Sequence, residues 1–343
     1  MQEIVQPLLR WFRENKRDLE WRRDNSAYSV LISEVMLQQT RAQAVRPYYV
    51  RFMQELPTFY ALAECPPEKL LKLWEGLGYY SRVRNLQKCA VQIVEKYQGI
   101  FPDSYDEAIR LPGIGMYTCG AVLSRTYNLK YAAVDGNVLR VLSRYLCFDG
   151  DILSDKTKGY FKVKIEEIMP EECGEFNESL MELGATVCMP KTAKCEVCPI
   201  QGGCRAYQRN CQLSYPKKAP KKEKRVLEYT CLFVTDGDKI VLVPKKQGVL
   251  KQMPAPFLID RFLTNDEALS YVADLGLEPV NEIRLEDKSH VFTHQIWYMR
   301  GYRILVRNTL DYPAYTASEL MEKVGVSTCF KQFFNELFSM KKN

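Results

Sequence analysis

At 343 residues and 46% hydrophobic, the chain can bury a sizeable core and is long enough for two domains. Its 48 basic residues against 42 acidic ones, a formal charge of +6, permit a polyanionic partner without demanding one. No run approaches the roughly 18 apolar residues of a membrane span, and the amphipathic, charged N-terminus is unlike a secretory signal, so a soluble intracellular protein is expected.

Histidine is almost absent: with only His290 and His294, the first 289 residues must carry out any acid–base or metal chemistry with carboxylates, tyrosines and cysteines. Up to about Gln212 the periodicity is helical, in short loop-linked segments. Residues 27–40 predict one such helix, on which Glu34 shares a face with Val30, Leu31 and Leu37. There a carboxyl loses hydration and holds its proton near neutral pH, as a general acid must; a rotated helix would leave it on a rim. Gln38, Gln39 and Thr40 end the segment with groups that bond base edges or simply cap the turn. Helical segments near 43–54 and 68–74 precede Gly76 to Asn85, where glycines, Tyr79, Tyr80, Arg82 and Arg84 suit either a nucleic-acid surface or core packing.

Leu111-Pro112-Gly113-Ile114-Gly115 lies between a short helix at 104–110 and a longer one at 117–127. Glycines there admit unusual backbone angles and leave amides uncovered, a seat for one phosphate at a helix start or else a plain turn. Asp135 precedes a helix beginning near Asn137, where amides and the helix dipole favour its ionised form. Glu34 and Asp135 thus promise proton affinities pushed apart, a donor beside a persistent anion, if the fold brings them together.

Twelve cysteines are many, yet Cys188, Cys195, Cys198 and Cys204 fall in one 17-residue window with spacing C-x6-C-x2-C-x5-C. Local ligation explains them better than a disulfide framework. Four thiolates suit zinc or a [4Fe–4S] cluster, and a single short C-x2-C favours iron–sulfur. Cys211 lies outside the set. Residues 213–225 hold six basic residues and two prolines, a linker whose charge can track phosphates. Beyond them the pattern changes: strands at 230–234 and 239–243 flank Asp236-Gly237-Asp238, strand runs recur at 291–298 and 302–306, and helices are predicted near 265–275 and 317–324. A smaller α+β domain over 226–343 follows, with Phe292-Thr293-His294 as its polar–aromatic cluster.

Several segments together resemble the MutY family of adenine DNA glycosylases, in the helix-hairpin-helix, endonuclease III-like superfamily. They are Asp18 to Arg22, Ser33 to Thr40, Leu73 to Tyr80, Leu111 to Gly115, Val134 to Asn137 and the four cysteines. The likeness is dense over about residues 5–215. It implies a mainly α protein of two helical lobes, one of six helices and one holding a [4Fe–4S] loop, with a Nudix-like C-terminal domain. It implies a cytoplasmic, nucleoid-associated, monomeric hydrolase that extrudes adenine mispaired with 8-oxoguanine or guanine in duplex DNA. By the same likeness Glu34 protonates adenine, Asp135 stabilises the sugar cation, and Tyr117 and Asn137 support the pocket. Glu178 and Arg22 stand beside the base. Gln38, Gln39, Thr40, Tyr79, Leu111, Gly113 and Gly115 meet DNA, and Phe292, Thr293 and His294 recognise 8-oxoguanine.

Related glycosylase/lyases carry a lysine two places after the last glycine of the turn, where its amine forms an imine with the sugar. Tyr117 occupies that place, so a monofunctional enzyme is expected over a bifunctional pyrimidine glycosylase/lyase. A non-catalytic DNA-binding module is opposed by the pair of Glu34 and Asp135. The likeness thins after residue 244: a family G-L-W-x-x-P segment reads Gly248-Val249-Leu250-Lys251-Gln252-Met253-Pro254 without the tryptophan. No acid-rich box that would gather Mg²⁺ for pyrophosphohydrolysis is evident.

Overall fold

The computed structural model describes residues 1–220, 223–307, 309 and 311–339, so 221 and 222 of the predicted linker lie outside the described residues. Two compact units form, Met1–Glu64 with Arg84–Pro220 and Cys65–Val83 with Lys221–Asn343. No described helix is long and apolar enough to cross a membrane.

In the first unit, α1 (Val5–Asn15) buries Val5, Leu8, Leu9 and Phe12, the one-sided spacing of an amphipathic helix. By contrast α2 (Ala27–Leu37) is buried from Tyr28 to Met36. The predicted single apolar face is therefore too narrow: Glu34 is enclosed because the whole helix is central. Ser26 caps it by accepting from the Ser29 amide, and α3 (Ala42–Glu55) follows. After α4 (Phe59–Ala63), the chain enters the second unit for α5 (Pro67–Leu73) and returns along α6 (Ser81–Tyr97).

Next come α7 (Tyr105–Ala108), α8 (Met116–Tyr127), α9 (Gly136–Leu146), α10 (Asp155–Glu166) and α11 (Cys173–Thr186). Helix α8 packs on α2 and α11, and α11 on α1 and α9. At the α9–α11 crossing, a Cβ on Gly184 would lie 2.5 Å from the Asn137 Cβ. Only a residue without a side chain permits that approach. The short α12 (Arg205–Gln208) closes the cysteine loop onto α9.

The second unit is a mixed sheet. Strand β1 (Arg225–Thr235) turns through Gly237, at φ +102°, into β2 (Lys239–Val241), the predicted hairpin. After β3 (Val243–Pro244), β4 (Pro254–Ala255) and β5 (Phe257–Ile259), α13 (Asn265–Asp274) covers one face, its start fixed by a capping box between Thr264 and Glu267. Then follow β6 (Pro279–Arg284), β7 (Lys288–Val291), β8 (Gln295–Val306) and β9 (Ala314–Thr316). The order is β6-β8-β1-β2-β9, with β5 also on β1 and β7 on β8. Strand β8 runs parallel to β1 from Arg225↔Gln295 to Thr235↔Leu305.

The two predicted strand runs 291–298 and 302–306 are corrected by this arrangement. Strand β8 passes through Gly301 unbroken, paired there with Cys231 of β1, and glycine is needed because a Cβ at 301 would lie 2.7 Å from the Phe333 ring. The real break is at Phe292-Thr293-His294, the turn between β7 and β8. Helix α14 (Ala317–Glu322) occupies the predicted 317–324 region, and α15 (Thr328–Lys331), α16 (Phe334–Ser339) and the turn between them add Phe330, Phe334 and Phe333 to the core under Cys231, Phe233, Trp297 and Met299. Segment 65–83 is tied into this unit. Glu75 accepts from the Val326 amide at 2.9 Å and the Lys331 ammonium at 2.8 Å, and Lys72 donates to the Met321 carbonyl at 2.6 Å.

Candidate active site

The end of α2, the starts of α8 and α9, and one side of α11 line a cleft of about 1180 Å³ in the first unit. Glu34, 4% exposed, accepts a hydrogen bond from the Tyr117 hydroxyl on Oε2, and its Oε1 lies 3.9 Å from Nη1 of Arg125. Burial pushes the Glu34 carboxyl above its ordinary range, opposed by Arg125 and by the Tyr117 bond. Burial likewise raises the Tyr117 phenol, with the neighbouring carboxylates adding to it, so Tyr117 stays a neutral donor. Met181 Sδ is 3.4 Å from the same hydroxyl.

Asp135 caps α9. Its Oδ1 accepts from the Val138 amide at 2.8 Å and its Oδ2 from Asn137 Nδ2 at 2.7 Å. The expected opposition of proton affinities needs correction here. Burial is the largest influence on Asp135 too and raises its pKa, while the Val138 and Asn137 bonds pull it down. The two carboxyls differ in what answers burial: a distant guanidinium and a phenol at Glu34, close amide donors at Asp135.

Arg22 and Glu178 also line the cleft and touch each other: Arg22 donates from Nε to Glu178 at 3.1 Å and from Nη2 to Glu182 at 2.9 Å. Gln38, Gln39, Thr40, Gly113 and Gly115 belong to the same wall. Gln38 Nε2 is 3.4 Å from Thr118 Oγ1, and Gln39 is exposed at φ +61°. Leu111 is buried, its carbonyl receiving the Ile114 amide at 3.1 Å. Of the two turn glycines only Gly113 is left-handed, at φ +80°; Gly115 has an ordinary backbone and serves as the N-cap of α8. No side chain caps that helix, and its first residues Met116, Tyr117 and Thr118 line the cleft; a helix start of this kind has the form of an anion seat.

Tyr79, Phe292, Thr293 and His294 lie in the second unit. Tyr79, exposed at φ +48°, shares a 2.7 Å hydrogen bond with Thr293 Oγ1. Phe292 packs on His290 and Trp297, and the exposed His294 contributes its carbonyl to the Arg225 amide.

Cys188, Cys195, Cys198 and Cys204 line one cavity with Arg144, Tyr145 and Leu183, and Cys211 is not among its lining residues. Two arginines one turn apart on α9 hold the loop. Arg144 donates to Cys188 Sγ at 3.3 Å and the Met189 carbonyl at 2.8 Å. Arg140 donates to the Cys188 carbonyl at 2.8 Å and also to Asn137 Oδ1 at 2.8 Å, which links the thiol loop to the Asp135 cap.

Sequence reasoning missed Arg125, Arg140 and Glu182. Glu182 is 1% exposed and paired with Arg17 as well as Arg22. A lone charge inside an otherwise apolar helix, as at Arg125 in α8, was the available signal; Glu182, one of three acids on α11, gave none.

Cleft and fold together define a base-excision DNA glycosylase of the helix-hairpin-helix class: residues 32–169 match the HhH-GPD superfamily base excision DNA repair protein family. The adenine DNA glycosylase of Buchnera aphidicola subsp. Baizongia pistaciae is 32% identical over 309 residues, covering 88% of this chain and 86% of the relative. That of Mus musculus is 43% identical over 212 residues, 59% of this chain and 41% of the mouse protein. The chain belongs to the adenine DNA glycosylase family. Among solved structures, a thermostable thymine-DNA glycosylase is similar at TM-score 0.56 and 29% identity, over 61% of this chain and 97% of that one.

Proposed function

We propose that the chain removes adenine from duplex DNA, preferring adenine opposite 8-oxoguanine over adenine opposite guanine, and hydrolyses the N-glycosidic bond without a lyase step. The observation that carries this reading is the buried Glu34 carboxyl, bonded by Tyr117, inside a cleft whose rim is the glycine turn. A flipped adenine receives the Glu34 proton on N7, which makes neutral adenine the leaving group. The C1′–N9 bond breaks with its electron pair passing to the base. Asp135, held by Val138 and Asn137, faces the positive sugar. Water adds to C1′ and its proton passes to the now ionised Glu34, which resets the acid. Tyr117 stands where an imine-forming lysine would be needed for strand cleavage, and a phenol cannot form an imine.

The amides at Gly113 to Tyr117 suit one DNA phosphate, and Gln38, Gln39 and Thr40 suit the opposed strand. Tyr79, Thr293 and the neighbouring Phe292 and His294 would judge the base opposite adenine; the Tyr79–Thr293 bond supports their acting as one group. Residues 1–212 would carry cleavage and 226–343, a Nudix-like domain, the discrimination.

The four thiols fit a [4Fe–4S] cluster. They line one common cavity and Arg144 donates to the Cys188 sulfur. Bound there by Cys188, Cys195, Cys198 and Cys204, the cluster would clasp the loop behind α9.

The test is single-turnover base release from duplexes differing only in the base opposite adenine. Release of adenine, fastest opposite 8-oxoguanine and without a borohydride-trapped adduct, is expected. Equal rates opposite every base would remove the preference, and a trapped adduct would remove the monofunctional reading.

A further inference from the structure

Among the described residues, Arg125 is the one guanidinium within 4 Å of both the acid Glu34 and the base-side Glu178. Its side chain is 2% exposed. Nη2 is anchored by the Trp21 carbonyl at 2.9 Å and Asn25 Oδ1 at 3.2 Å. From that fixed point Nη1 lies 3.9 Å from Glu34 Oε1 and Nε lies 3.6 Å from Glu178 Oε2. Both distances exceed a hydrogen bond, and the buried Nε has no hydrogen-bond partner. A cation kept out of water at that cost acts through its charge and position, because it bonds neither carboxylate directly.

We infer that Arg125 is a positioning residue of the glycosylase reaction, holding Glu34 and Glu178 on either side of one fixed charge so that Glu34 can release its proton as well as keep it. The inference rests on the proposed function. Glu34 must give a proton to the base and then take one from water, so its neutral and ionised forms must both be accessible. The groups facing Glu34 are Tyr117 and Arg125 from α8, Asp135 from the cap of α9 and Glu178 from α11. Three of these four are acids or a phenol. Arg125 is the cation among them, and it also faces Tyr49 of α3. Without it, burial and two like charges would hold Glu34 protonated through the whole cycle.

The experiment compares wild type with Arg125→Leu, Arg125→Gln and Arg125→Lys in the full chain. The Glu34 carboxyl is followed by isotope-edited infrared titration, with Glu34→Gln identifying its band, alongside single-turnover adenine release across pH. Leu and Gln should move the Glu34 titration and the alkaline limb of the rate profile to higher pH, and lower release at neutral pH on the order of tenfold. Lys should restore most of both. Arg125→Gln removes the charge and keeps a polar amide near the place of Nε, so it reports on charge even if Leu repacks the site. A Glu34 titration unchanged in both neutral variants overturns the inference, whatever the rates do. A titration that moves in a protein releasing no adenine upholds Arg125 and removes the adenine reading instead.

Discussion

Tyr117 donates its hydroxyl to Glu34 across 83 residues of sequence, so the first turn of α8 holds the carboxyl that α2 buries. Glu34→Gln keeps the shape and removes the proton. It should bind an adenine-containing duplex about as tightly as wild type and lose base release in single turnover, by about 10²-fold or more. Release within a few-fold of wild type would mean another group is the acid.

The raised Glu34 pKa has a signed consequence for stability. Its folded value lies above the free one, so its contribution is complete below the free carboxyl range and is lost as pH rises through the folded value. Glu34→Gln cannot ionise. Its urea midpoint should exceed that of wild type at alkaline pH and converge on it at acid pH. Midpoints that differ by the same amount at both extremes would contradict the burial effect.

Glu182 behaves in the opposite sense. Burial opposes its charge, but Arg17 and Arg22 hold its pKa down to about 2. Its contribution is present above the free carboxyl range and fades as pH falls toward that value. Glu182→Leu takes from Arg17 its carboxylate and leaves the largely buried Arg22 with Glu178 as its remaining one, and should cost about 3 kcal/mol at neutral pH. The loss should shrink in acid; a loss independent of pH would place the effect in packing.

Cys198→Ser should lower soluble yield and DNA affinity if the cysteine loop, held to α9 by Arg140 and Arg144, binds the proposed cluster. Anaerobically purified wild type should contain about four irons and four acid-labile sulfides. Stoichiometric zinc without a visible chromophore would reject the cluster.

Tyr79→Phe and Thr293→Ala each break the 2.7 Å bond between them. Each should shrink the rate advantage of an 8-oxoguanine partner over a guanine partner, with the double variant no worse than the larger single one, as expected of one coupled pair. Point variants are the sound test: excising residues 226–343 would remove the Val326, Lys331 and Met321 partners of Glu75 and Lys72. Strictly additive losses would separate the two residues.

What could be read from the chain alone was whatever depends on near neighbours. The Gly113 turn, the Asp135 cap, the four-cysteine spacing and the Asp236-Gly237-Asp238 hairpin are set by backbone sterics and ligand reach within a few residues, so their signals are local. The resemblance to a glycosylase family rested on the same short segments. Tertiary structure alone decided what those pieces meet. Arg22 reaches Glu178 over 156 residues, and Arg125 reaches Asn25 over 100, distances at which periodicity carries no information. It also decided electrostatics: Asp135 looked like an ionised cap in sequence, yet burial by distant helices raises its pKa, because desolvation is a property of everything packed around a group. The path of β8 through Gly301 and the union of 65–83 with the C-terminal sheet were hidden for the same reason, since both depend on surfaces that exist only once the chain has folded.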